Sequence, residues 1–115
     1  MRLKLIIFLI VFPFPIHSDK AEECLRLPSH NDSVDCVVDA LPLTFYLSAF
    51  NEFKRIYKKS YPSLTDEAKG VLQFRENYQR ILKNNLKTTS YKMKVNEHAD
   101  LSSEEFARKF LSNFN

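Results

Sequence analysis

Residues 65–85 read Thr-Asp-Glu-Ala-Lys-Gly-Val-Leu-Gln-Phe-Arg-Glu-Asn-Tyr-Gln-Arg-Ile-Leu-Lys-Asn-Asn. Val71, Phe74, Tyr78, Ile81 and Leu82 recur at steps of three and four, an apolar stripe along one face of a helix. Thr65 is placed as an N-cap, with Asp66 and Glu67 in the first turn, where the helix dipole favours negative charge. The helix is expected to reach Asn85, about five or six turns. Glu76 and Arg80 stand at i,i+4 spacing for an ion pair. Gly70, the only glycine of the chain, falls inside this helix. It costs about 1 kcal/mol relative to alanine there.

Toward the N-terminus, Tyr46, Ala49, Phe50, Phe53, Ile56 and Tyr57 repeat the helical period, with Asn51, Glu52, Lys54, Arg55 and Lys58 opposite. Pro62 ends that unit, because the residue before proline avoids α geometry. Residues 19–44 hold Pro28, Pro42 and a polar run without period, and are expected to be an irregular lead-in. Before them, Arg2 and Lys4 precede the apolar run Leu5–Phe12, which has signal-peptide form and is too short to span a bilayer comfortably. Ile16-His17-Ser18 is the expected cleavage edge, so residues 1–18 read as a signal peptide, with no membrane span after its removal. Cys24 and Cys36 are then a disulfide candidate, on an even count in a secreted chain. Two free thiols, or a bond to another chain, are the alternatives. Asn31-Asp32-Ser33 is an acceptor sequon for N-glycosylation.

Toward the C-terminus, Tyr91-Lys92-Met93-Lys94-Val95 alternates apolar and basic, the period of a half-buried edge strand. Ser102 and Glu105 form a capping box, with Leu101 and Phe106 as hydrophobic staple. Phe106, Phe110 and Leu111 are expected to face inward. The fold class is therefore mainly α, a small globule of three helices and one short edge strand over residues 45–115.

Several functions find no support. Removing residues 1–18 takes away Arg2 and Lys4 and lowers the formal net charge from +3 to +1, so charge gives no argument for nucleic acid. No basic block with interleaved aromatics stands out. Two cysteines with no histidine at ligand spacing are too few for a metal site. One glycine excludes a glycine-rich phosphate loop. His17, His30 and His98 have no nucleophile beside them, so neither a catalytic residue nor a cofactor is expected.

The order of residues does carry a resemblance. Phe74-x2-Asn77-x3-Ile81-x3-Asn85 is followed by Asn96-x-His98-x-Asp100 and Leu101-x-x-Glu104-Glu105-Phe106. Upstream stand Phe50-x-x-Phe53-Lys54, Tyr57-x-Lys59 and Tyr61. Over residues 46–111 the chain resembles the inhibitory propeptides of papain-like cysteine proteases of the cathepsin L type. The long-helix motif of those propeptides, ERFNIN, fits at Phe74, Asn77, Ile81 and Asn85. Its first two letters fall on Asp66, a shortened carboxylate, and on Gly70, where an arginine is expected. The second motif, GNFD, fits at Asn96 and Asp100, with Lys94 in place of its glycine and His98 in place of its phenylalanine.

The resemblance implies a secreted inhibitor, with a papain-like cysteine protease as partner. The globule would sit on the enzyme's prosegment-binding surface, and Tyr91 and Met93 lie in the strand that would add to an enzyme edge. Few residues follow the third helix, so a cleft-filling tail is expected to be short. The alternative is the non-inhibitory pro-part of a truncated protease precursor, acting as a folding helper or inactive. The missing arginine leaves Asp100 in need of another partner. His98, if partly buried at the bend, would favour its neutral form, so acidification would loosen the domain, and a close Asp100 carboxylate would reverse that sign. It is the candidate pH sensor.

Overall fold

The computed structural model describes residues 15–87 and 90–111, and over them the protein is mainly helical. Five helices follow in order: α1 Pro15–Leu25, α2 His30–Ala40, α3 Leu43–Ile56, α4 Leu64–Leu86 and α5 Ser103–Phe110. The chain divides into two compact units, Met1–Ala40 and Leu41–Asn115. No helix among the described residues is by itself long and apolar enough to cross a membrane.

The first unit corrects the expectation of an irregular lead-in. α1 and α2 pack against each other as a hairpin, and a Cys24–Cys36 disulfide joins them across a Cα–Cα distance of 5.4 Å. Cys24, Val34 and Val38 are buried. Closing so short a loop is worth about 2–3 kcal/mol. The Ser29 hydroxyl accepts from the Asp32 N–H at 3.4 Å, starting α2 after the turn. α2 is rich in Asn, Asp, Ser and Val, which are weak helix formers, so its composition hides a helix that packing and the cross-link hold. α1 runs through the expected cleavage edge at Ser18, while residues 1–14 of the expected signal peptide lie outside the described residues.

The second unit is built on α3 and α4, which pack together. Phe50, Phe53 and Phe74 form its core with Ala99, each at most 6% exposed. The Phe74 ring lies 5.4 Å from Phe50, 5.0 Å from Phe53 and 5.3 Å from Tyr78, within the favourable range for aromatic pairs. Lys54 pairs with Glu67 across the two helices. α3 ends in a Schellman turn: Lys58 has φ of 51°, and the Lys59 N–H donates to the Lys54 carbonyl at 2.9 Å. A lysine in that left-handed position costs about 1 kcal/mol, and the turn carries Lys59 and Tyr61 back along the domain.

α4 starts earlier than the apolar stripe suggested. Ser63, not Thr65, is the N-cap: its hydroxyl accepts from the Asp66 N–H at 3.1 Å and donates to the Asp66 carboxylate at 2.8 Å. At α5 the expected cap holds, with the Glu105 N–H donating to Ser102 Oγ at 3.0 Å. The expected inward faces do not. Phe106 is 42% and Leu111 56% exposed, because the aromatic rings of α3 and α4 already fill the core. Phe106 and Phe110 instead pack on each other and on His98.

The edge strand over Tyr91–Val95 is also corrected. No strand occurs among the described residues, and 92–96 has no regular secondary structure. Its place beside α4 is held by side chains of the helices, as the site geometry shows.

Candidate functional site

The motif asparagines are clamps on the returning chain. Asn85 donates from Nδ2 to the Met93 carbonyl at 2.8 Å and accepts the Met93 N–H at 2.8 Å, so one carboxamide meets both backbone groups of one residue. Asn84 donates to the Tyr91 carbonyl at 3.2 Å, and Tyr57 Oη to the Val95 carbonyl at 3.1 Å. One helical turn pair earlier, Asn77 Nδ2 bridges the carbonyls of Ala99 at 2.8 Å and Leu101 at 3.0 Å. Residues 91, 93 and 95 thus turn backbone groups toward the helices, the two-residue alternation of an extended chain. Side chains of α3 and α4 take the place of a partner strand, which is why the alternating pattern appears without a ladder.

The opposite edge is open. Among the described residues, the backbone N–H and C=O groups of Lys92 and Lys94 make no hydrogen bond. Both side chains are exposed, and so is Tyr91 at 62%. Such an edge can accept a strand from another chain.

Asp100 has found partners that replace the missing arginine. Its side chain is only 7% exposed, Tyr61 Oη donates to Oδ2 at 2.7 Å, and Lys59 Nζ stands 3.5 Å from Oδ1. Burial first, and then this bond to the carboxylate, push the Tyr61 pKa well above the ordinary tyrosine range. A Cβ added at Gly70 would lie 3.0 Å from Tyr61 Cε1, so the tyrosine ring occupies the space through which an arginine stem would leave the helix. Glycine and tyrosine here are complementary, and the helix penalty at Gly70 is the cost of that contact. Lys59 and Tyr61 stood in the sequence pattern, but only the Schellman turn brings them to Asp100.

The remaining candidates are placed as follows. Phe74 is core, and Ile81 is half-buried on α4. The Asn96 side chain accepts from the His98 N–H at 2.9 Å and so shapes the bend. The His98 ring, 23% exposed, lies 4.7 Å from Phe110 and 5.8 Å from Phe106. The carboxylate beside its Nε2 is Glu97, at 3.4 Å, rather than Asp100. Asn31 is exposed in the first turn of α2. Among the described residues no group of three or more His, Cys, Asp or Glu side chains could hold a metal ion.

Comparison with known proteins addresses the same stretch. The family model of the cathepsin propeptide inhibitor domain (I29) matches residues 50–106. Residues 50–106 are a cathepsin propeptide inhibitor domain. Among curated proteins, Vivapain-1 of Plasmodium vivax (strain Salvador I) is 37% identical over 65 residues, which are 56% of this chain and 11% of that protein. The thiol protease aleurain-like of Arabidopsis thaliana is 35% identical over 74 residues, 64% of this chain and 21% of that protein. The chain thus spans about a fifth or less of the length of these relatives. No solved structure matches it significantly. The propeptide inhibitor domain includes α4, the clamped segment and the Asp100 cluster, and it is an inhibitory rather than a catalytic unit.

Proposed function

We propose that this chain is a secreted inhibitor of papain-like cysteine proteases of the cathepsin L type. The observation that carries the reading is the clamped segment with one open edge inside the propeptide inhibitor domain. Asn84, Asn85 and Tyr57 hold its inner side, and the Lys92 and Lys94 backbone faces outward. That edge would pair with a strand of the enzyme, seating the domain on the prosegment-binding surface and hindering the cleft. Delivery through the secretory pathway, to the outside or to endosomes and lysosomes, agrees with the apolar N-terminus, the disulfide and the exposed Asn31 sequon. Asn31 would then carry an N-glycan.

A second reading has its own support. Both relatives share with this chain only a minor part of their length, and one is named a thiol protease. The chain would then be the pro-part of a protease precursor, a folding helper or an inactive product. The experiment is inhibition of mature cathepsin L and cathepsin B by the purified chain lacking residues 1–18. Tighter inhibition of cathepsin L is expected. No inhibition of either enzyme at high micromolar concentration would remove the inhibitor reading and leave the pro-part reading.

A further inference from the structure

We propose that the open edge at Lys92–Lys94 is a basic recognition surface that selects a protease whose facing surface is acidic. The proposal rests on the inhibitor reading above. From Asn77 through Asn96 the sequence carries five basic residues, Arg80, Lys83, Lys87, Lys92 and Lys94, and no Asp or Glu. Arg80, Lys92 and Lys94 are exposed. The groups they meet are neutral: Arg80 donates to Asn77 Oδ1 at 3.3 Å, and Lys92 Nζ to the Asn85 carbonyl at 2.7 Å. Among the described residues the Lys94 side chain makes no hydrogen bond or ion pair. Elsewhere in the same unit three cations are held in ion pairs, Lys54 with Glu67, Arg55 with Glu52 and Lys59 with Asp100.

Positive charge is therefore gathered where the domain leaves its backbone open. Arg80 and Lys94 line one cavity of about 320 Å³ between α4, the clamped segment and α5. Exposed Phe106 and Leu111 line the same cavity and give it an apolar floor. Like charges side by side add self-repulsion, but they steer an oppositely charged partner. The partner's form follows from the backbone. Lys92 and Lys94 are two residues apart on an extended segment, so their side chains share a face while their N–H and C=O groups line the edge. A protein strand that adds to this edge would place its acidic side chains opposite the lysines as cross-strand pairs. A sulfated polysaccharide could use the charges but not the edge.

The test is the association rate with mature cathepsin L between about 25 and about 500 mM NaCl, over which the screening length falls from roughly 20 Å to 4 Å. The proteins are the native chain, Lys94→Glu, Lys94→Gln and Lys69→Glu, all checked for native circular dichroism. Lys69 is an exposed residue of α4 that lines a different cavity, with Tyr61 and Asp100, and its reversal changes the net charge equally. Lys94→Glu is expected to slow association about tenfold at low salt, with Lys94→Gln between it and native, and the gap should close at high salt. Lys69→Glu should stay within about twofold of native. Equal rates for native and Lys94→Glu at low salt, or equal slowing by both reversals, would overturn the proposal. So would tight heparin binding lost in Lys94→Glu with association to the enzyme unchanged, since the edge would then serve a polyanion. Absence of inhibition by any of the proteins would strike the inhibitor reading itself, and this proposal with it.

Discussion

Asn85→Ala removes two hydrogen bonds with one truncation. The native carboxamide donates to the Met93 carbonyl and accepts the Met93 N–H, each at 2.8 Å. A bond of this kind contributes about 1 kcal/mol net, and more is lost where the abandoned partner stays away from water. Asn85 and Met93 are both half-buried, so solvent recovers part of the loss. The expected destabilisation is about 2–3 kcal/mol. Asn85→Asp keeps an acceptor for the N–H but presents oxygen to the carbonyl, and should lose about half as much or somewhat more. Asn84→Ala is the comparison: its 3.2 Å bond to the exposed Tyr91 carbonyl should be worth less than about 1 kcal/mol. Urea unfolding followed by circular dichroism gives the stabilities, and hydrogen exchange at the Met93 amide reports the clamp directly. If Asn85→Ala shifts the midpoint no more than Asn84→Ala, or leaves Met93 exchange unchanged, the clamp does not hold the segment.

Phe74→Ala should cost about 3–5 kcal/mol, because the ring is 1% exposed among three aromatic neighbours, whereas half-buried Ile81→Ala should cost about half as much, both read from urea midpoints. Tyr61 should keep its proton above the ordinary tyrosine value of about 10. Its raised folded pKa makes its stability contribution complete below that value and lost as pH climbs through the folded one. Tyrosinate absorbance of the native protein and Tyr61→Phe should therefore coincide past about pH 10, and an earlier excess in the native curve would contradict the Asp100 bond. His98→Phe should be neutral or stabilising by up to about 1 kcal/mol through contact with Phe106 and Phe110. Repeating its urea curve at about pH 5 tests the acid-sensor role: the native and variant proteins must then separate.

The sequence by itself determined the local elements and their order. The stripe from Val71 to Leu82 marks α4, and the Ser102–Glu105 cap marks α5, because periodicity and capping depend on residues within a turn or two. The motif residues could be named for the same reason, as letters at set spacing. What those letters do was decided by tertiary structure. Asn77 and Asn85 are polar residues on a helix until the chain returns to place the carbonyls of Ala99, Leu101 and Met93 against them. The Tyr91–Val95 alternation was legible, but whether a strand or a row of side chains would meet it depended on α3 and α4. Gly70 looked like a lost arginine and a helix defect; the ring of Tyr61, delivered by a turn at Lys58, makes it a fit. α2 was hidden because its residues are weak helix formers, and its stability comes from Cys24, Val34 and Val38 buried across a cross-linked hairpin. In each case the deciding energy lies in contacts between residues on different elements of the fold, which spacing within one element does not encode.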